Sequence, residues 1–335
     1  MNDIQDKKSF SCHKPGCYKL DLEDVVKKIK KIGAKKVGLQ FPDGLLRRST
    51  DIKDYIENET KSLVLISGNS CFGACDLDMD LLNEVDLLFH FGHSKIFDVK
   101  RVEYVEARMK CDFDDLLRAS LTFIHADKIS LVSTVQHIGD LKRIKAFYEE
   151  NGIVCIIGKG DSRITYEGQV LGCNFSSAKN DGEEIVYIGS GYFHPIGIGI
   201  ATKKRVLKVD PISKEIEEVK TERLIRRRYG VISKAMDFRS VGILVSSKIG
   251  QKRSDIALKL YKNALKRGYE AYILYMGTIY PEGIGIKVDL LVNTACPRIA
   301  IDDYQRFNVP ILTPIEFEML LGGRPMDEYI MDEIR

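Results

Sequence analysis

The residues best equipped for chemistry lie in one short run, Ser-Gly-Asn-Ser-Cys-Phe-Gly-Ala-Cys-Asp-Leu-Asp, over residues 67–78. It follows a strand-like apolar run, Leu63-Val64-Leu65-Ile66. Glycines, two cysteines and two acids serve no purpose in a core segment, so the run reads as a site. Cys75 follows the small residues Gly73-Ala74, which let a bulky ligand approach the backbone, and precedes Asp76-Leu77-Asp78, a helix-start signal. A thiolate near a helix N-terminus has a lowered pKa and binds metal readily. Cys173, after Leu171-Gly172, and Cys296, in Asn293-Thr294-Ala295-Cys296-Pro297-Arg298, lie in similar loops. Three thiolates, unlike four, leave one metal coordination position open for substrate. Soft thiolates suit zinc or iron–sulfur, and spacing leaves both open.

The other cysteines sort differently. Cys155 lies in an apolar strand and reads as a buried structural thiol. Cys111 sits at a helix start without a neighbouring signal. Cys12, His13 and Cys17 resemble half of a zinc site with no second half. Cys71 is an extra thiol in the Cys75 loop.

The elements that must position these residues repeat three times. The first unit opens with Lys36-Val37-Gly38-Leu39-Gln40, a Pro42-Asp43-Gly44 turn and a helix, then strands at 63–66 and 85–89. The second opens at 129–132, with a helix from about Asp140 to Gly152 and strands at 153–157 and 185–188. The third opens at 241–245; its helix has Ser254 as N-cap and Gly268 as stop, with strands at 271–274 and 288–292. Val-Asp-Leu-Leu recurs at 85–88 and 288–291, at the same place in units one and three. The expected fold is α/β: three similar domains, each a mainly parallel sheet flanked by helices, arranged pseudo-threefold around a central cluster site. The boundaries fall at 1–115 (Cys75), 116–220 (Cys173) and 221–335 (Cys296). An amphipathic helix over 21–32 precedes the first strand. Residues 203–228 read as a charged connection with an exposed hairpin, and Arg226-Arg227-Arg228 as a solvated basic face.

Bulk properties narrow the function classes. The 335 residues carry a net charge of +3 and are 44% hydrophobic, so nothing argues for direct nucleic-acid binding. No apolar run approaches the roughly 18–20 residues of a membrane span. Without a signal-peptide pattern, a cytoplasmic, reducing location is expected, with reduced thiols or ligands rather than disulfides. The glycine-rich stretch 189–199 lacks the Gly-Lys-Ser/Thr ending of a phosphate loop.

Gly73-Ala74-Cys75-Asp76, His90-Phe91-Gly92-His93-Ser94, residues 293–298 and Gln40-Phe41-Pro42-Asp43-Gly44 resemble, as a set, the archaeal-type diphthamide synthases, over nearly the whole chain. The resemblance implies a 4Fe–4S cluster held by Cys75, Cys173 and Cys296, and S-adenosylmethionine on the unligated iron. It implies cleavage of the bond between sulfur and the γ-carbon of the methionine moiety, releasing methylthioadenosine and a 3-amino-3-carboxypropyl radical. That radical adds to a histidine of translation elongation factor 2, the first step of diphthamide synthesis. A homodimer and an external electron donor are implied partners. Candidates to anchor S-adenosylmethionine are Gln40, Pro42, Asp43, Gln136, His137, Ser247, Gly250, Gln251, Arg253 and Arg298. His93 and His194 follow the third strands of units one and two and are expected to face the central site; His90 reads as a structural strand residue. A quinolinate-synthase-like dehydratase, a non-catalytic subunit of a synthase complex and a zinc scaffold are the rival readings.

Overall fold

The computed structural model describes residues 18–335; Cys12, His13 and Cys17 lie outside them. It contains three sheets of one plan. The first runs in the order Leu63–Ile66, Lys36–Gln40, Leu87–Phe91, Val102–Val105, every pair parallel. The second has the order Val154–Ile156, Lys128–Ser133, Glu184–Ile188, Val206–Asp210, Glu215–Glu218, with the first two pairings parallel. The third has the order Glu270–Met276, Ser240–Ser246, Leu290–Asn293, Ile311–Leu312, all parallel. The opening strand of each unit lies between the second and third strands. In doubly wound sheets of this order, ligands bind beyond the carboxyl ends of the first and third strands, where the chain switches direction.

Burial explains the strands. Val37, Leu39, Val241, Ile243, Ile129 and Leu131 are fully buried, the continuous apolar pattern of parallel strands covered on both faces. On the first sheet, Leu22, Val25 and Ile29 of the helix Leu22–Ile32 join Ile52 and Ile56 of the helix Ser49–Thr60 against Val37, Leu39 and Phe89. Gly33 ends the first of these helices in the left-handed region at φ 71°, where a side chain would be strained.

The recurring Val-Asp-Leu-Leu has a physical reason. Asp86 accepts hydrogen bonds from the Lys35 and Lys36 N–H groups, at 2.8 and 2.9 Å. Asp289 does the same for Arg239 and Ser240, at 3.0 and 2.9 Å. Each carboxylate thus satisfies the amides at the start of its unit's opening strand.

By density of internal contacts the chain forms two compact units. One comprises residues 18–170, 176–191 and 207–217, holding the first two sheets; the other comprises Leu171–Phe175, Tyr192–Val206 and Glu218–Arg335. Three local expectations need correction. Ser254 is the first residue of the helix Ser254–Lys266 and Arg253 takes the cap position. The hairpin is present, but only its outer strand, Glu215–Glu218, faces solvent; the strand Val206–Asp210 is buried along its length, Lys208 included, because it lies inside the sheet. Arg228 is fully buried, not solvated. Its guanidinium pairs with both oxygens of Glu316 at 2.7 Å and donates to the Ala300 and Ile311 carbonyls at 2.6 and 2.8 Å.

Candidate active site: the cysteine loops

Within the first unit, the loop 67–78 is fastened by its own two acids. Asp78 caps the helix Met79–Glu84 by accepting from the Leu81 N–H at 3.0 Å, and also accepts from Ser67 Oγ at 2.6 Å and Asn69 Nδ2 at 3.0 Å. Burial pushes the Asp78 carboxyl up, but these bonds together with the Asp80 N–H outweigh it and hold the group below its ordinary value. Asp76 Oδ2 accepts from the Phe72 N–H. Both acids are therefore spent on holding the loop.

Gln40, at the end of the opening strand, clamps the loop onto the sheet. Its Nε2 donates to the Asp76 carbonyl at 2.7 Å, and its Oε1 accepts from the Asp78 N–H at 3.2 Å. The same Oε1 lies 2.9 Å from His90 Nδ1. His90 Nε2 in turn stands 3.0 Å from His93 Nδ1 and 4.0 Å from Cys71 Sγ. Burial keeps both imidazoles neutral, pushing His90 down to about 3 and His93 to about 4. Cys71 is buried, whereas Cys75 is half-buried. Gly73 leaves the approach open: a Cβ there would stand 3.5 Å from Cys75 Sγ.

At the end of the second sheet's opening strand, Gln136 is half-buried and its carbonyl accepts from Met109. His137 is buried, with Nδ1 lacking a hydrogen-bond partner and the ring edge-on to Phe113. Burial lowers it to about 4, the Asp210 charge opposing.

The second unit holds the other two cysteine loops. The Cys173 carbonyl accepts from the Ile334 N–H at 2.7 Å, Asn174 Nδ2 donates to the Ile334 carbonyl at 3.2 Å, and the Phe175 N–H donates to Glu333 at 3.2 Å. The Cys296 loop closes on Asn293, whose side chain bonds the Cys296 carbonyl and the Ala295 N–H at 2.8 and 3.1 Å. Arg253 then ties this loop to the same C-terminal tail. It donates to the Thr294 and Ala295 carbonyls at 2.5 and 3.0 Å and pairs in bidentate fashion with Asp332 at 2.9 and 2.6 Å. With a further bond to the Glu333 carbonyl, its five N–H groups are all engaged. Gly172 lies against Phe193 and Arg298, where an added Cβ would meet ring and aliphatic carbons at 3.0 and 3.7 Å. The Arg298 guanidinium stacks 4.6 Å over the Phe193 ring and pairs with Asp302 at 2.8 Å. The Cys173 and Cys296 loops are therefore neighbours. His194 sits edge-on to Phe193, lowered to about 4 by burial and then by the Arg298 charge.

Pro42 precedes the short helix Asp43–Leu46, which Asp43 opens exposed to solvent. Ser247 is exposed at the end of the strand Ser240–Ser246, whereas Gly250 and Gln251 are buried in the turn before Arg253. Sequence reading missed the C-terminal tail and the partnership of His90 with Cys71. Asp332–Ile334 carry no local signal at all; for His90, the only sign was its spacing from His93.

Parallel sheets of this order, with thiols in loops that follow their strands, define an α/β protein. A family model described as a diphthamide synthesis protein matches residues 41–330. A 2-(3-amino-3-carboxypropyl)histidine synthase from Pyrococcus horikoshii is 40% identical over 95% of this chain and 94% of its own length. Subunit 1 of the Homo sapiens enzyme of that name is 30% identical over 94% of this chain and 76% of its own length. The crystal structure of Dph2 from Pyrococcus horikoshii with a 4Fe–4S cluster superposes with a TM-score of 0.90 at 38% identity, covering 95% of this chain and 94% of that one. The chain belongs to the diphthamide synthesis family, and by that membership is an enzyme, a transferase.

Proposed function

We propose that this chain transfers the 3-amino-3-carboxypropyl group of S-adenosylmethionine to a histidine of translation elongation factor 2. Cys75, Cys173 and Cys296 would be the thiolate ligands of a 4Fe–4S cluster. The donor chemistry fits that group. These three thiols are half-buried in loops beyond strands, as cluster ligands must be to meet an inorganic core. Cys155, by contrast, is buried and pushed up to about 12, unfit to ionise. When bound, the cluster supplies the electron that opens the bond between sulfur and the γ-carbon of the methionine moiety.

The chain's own residues supply position. The observation that carries the reading is the fastening of Cys173 and Cys296, through Arg253 and Ile334, to one buried tail. Gln40 and Arg253 are occupied with backbone and act by holding loops, not by touching a cofactor. Asp43, Ser247 and Arg298 keep exposed polar atoms for the amino-acid or ribose groups of S-adenosylmethionine. Gln136 and His137 remain polar groups at a strand end, and Pro42, Gly250 and Gln251 are turn residues of their own loops. Rigid placement matters because the bond that breaks is the one presented to the electron donor.

No helix among the described residues is long and apolar enough to cross a membrane. A cytoplasmic homodimer served by an external electron donor completes the reading. Its test is anaerobic reconstitution with iron and sulfide, reduction with dithionite and addition of S-adenosylmethionine. Methylthioadenosine release and modification of the elongation factor by the chain alone are expected. Iron-loaded chain that yields neither product would refute the reading in favour of a dehydratase or a supporting subunit.

A further inference from the structure

We propose that Cys71, His90 and His93 form a binding site for one zinc ion, separate from the three cluster thiolates and contained within the first unit. The ligand atoms, Cys71 Sγ and one ring nitrogen from each histidine, all lie within 4.8 Å of one another. Sγ stands 4.0 Å from His90 Nε2, and that nitrogen stands 3.0 Å from His93 Nδ1. A tetrahedral ion with Zn–S of about 2.3 Å and Zn–N of about 2.0–2.1 Å spans gaps of this size.

The tautomer of His90 is fixed by its surroundings. The Gln40 amide is oriented by backbone, with Nε2 donating to the Asp76 carbonyl and Oε1 accepting from the Asp78 N–H. The oxygen therefore faces His90 Nδ1, which must carry the proton and donate. His90 Nε2 is left with its lone pair directed at Cys71 and His93. A metal-ligating histidine that hands its other N–H to a side-chain or backbone oxygen is the usual supporting arrangement. One thiolate and two imidazoles form a donor set typical of zinc, with a fourth position for water.

A second observation points to the same place. Tyr104 packs its ring 5.3 Å from that of His90. Its hydroxyl is buried and has no hydrogen-bond partner. A water in the fourth coordination position would give that hydroxyl the partner it lacks.

The competing account is a hydrogen bond from His93 Nδ1–H to His90 Nε2, with no metal. The test uses the chain with Cys75, Cys173 and Cys296 all changed to Ser, in which the absence of iron is verified, titrated with Co²⁺ and then Zn²⁺. About one equivalent of Co²⁺ is expected, with thiolate-to-cobalt absorption in the near ultraviolet and the visible bands of a four-coordinate ion, displaced by Zn²⁺. Cys71→Ser and His93→Gln, each added to that background, are expected to abolish the thiolate band and to weaken binding by about tenfold or more, respectively. Circular dichroism verifies that each variant is folded. The proposal is overturned if the folded triple variant takes up no cobalt, or if neither further change weakens it. It is equally overturned if Cys71→Ser in the otherwise native chain removes iron, because Cys71 would then serve the cluster.

Discussion

The Cys75 loop and the Cys173–Cys296 pair are held in opposite ways. The first is closed largely by near neighbours: Asp78 bonds Ser67 eleven positions back, with longer reaches to the sheet at Leu39, Gln40 and His90. The second pair is held by residues far off in sequence, since Asn174 bonds Ile334 across 160 positions and Arg253 bonds Asp332 across 79. The first loop rests on neutral and singly charged hydrogen bonds. The second depends on one buried ion pair whose side chains are 8% and 4% exposed. A locally closed loop can fail alone, whereas loops sharing one buried charge pair fail together.

That difference makes Arg253→Ala the largest expected effect. Removing one partner of a buried pair leaves the other charge uncompensated, at a cost of about 3–5 kcal/mol. Asp332 would be left buried without its cation, and because burial already pushes its carboxyl up against the opposing pull of Arg253, part of the loss would appear as proton uptake. Arg228→Ala is the control. Its pair with Glu316 is fully buried and should cost a similar amount, but it braces Ala300 and Ile311 rather than a cysteine loop. Urea denaturation should show both losses, while iron per chain after anaerobic reconstitution should fall much further in Arg253→Ala. Equal iron loss in the two would erase the distinction between the regions.

The contrast also explains what could be read in advance. The opening strands were legible because continuous apolar runs such as 241–245 and the repeated Val-Asp-Leu-Leu reflect local burial and strand-start capping. The Cys75 loop was legible because its acids, glycines and thiols are contiguous. Arg253 was read as a candidate S-adenosylmethionine anchor and its role in holding the loops went unseen, because its five acceptors come from residues 294–295 and 332–333. Arg228 was misread for the same reason: in a run of three arginines, nothing local tells which one meets Glu316. His90 looked structural because its strand is apolar, and only the pairing of Gln40 with His90 across the sheet reveals its polar partners.

A pH titration sharpens the comparison on the first unit. His137 is held neutral down to about 4 by burial, the Asp210 charge opposing. The unfolded imidazole takes up a proton below about 6.5. Its folded pKa is depressed, so the stability it contributes is intact above pH 6.5 and is lost as pH falls towards 4. The full loss is roughly 3 kcal/mol at 1.36 kcal/mol per unit. Urea midpoints taken between pH 7 and 4 should fall steeply, and His137→Gln should flatten that slope by about one proton's worth. An unchanged slope would mean that the site is wetter than its 3% exposure indicates.

Gly197→Ala probes the second unit more gently. An added Cβ would lie 2.4 Å from the Phe175 ring, two residues from Cys173. The ring must shift, and overpacking of this kind costs about 1–3 kcal/mol. The melting temperature should drop, and the Cys173 thiol should react faster with a maleimide than in the native chain. A lower melting temperature with unchanged thiol reactivity would show that the strain stops short of the cysteine.

The smallest effect expected is that of Asp78→Ala on the first loop. It removes the cap of the helix Met79–Glu84 together with the bonds to Ser67 and Asn69. Loss of a cap costs about 1 kcal/mol. The depressed folded pKa of Asp78 gives this contribution a sign in pH: present above the ordinary carboxylate range and lost as pH falls through the lower folded value. The native chain should therefore lose stability relative to Asp78→Ala in that acid range, and the two urea curves should converge. Because Gln40 still holds the Asp76 carbonyl, the loop keeps its second anchor. Maleimide labelling of Cys75 should rise modestly while that of Cys173 and Cys296 stays fixed. A matching rise at all three thiols would show that the near-neighbour closure of the first loop is not independent of the tail that fastens the other two.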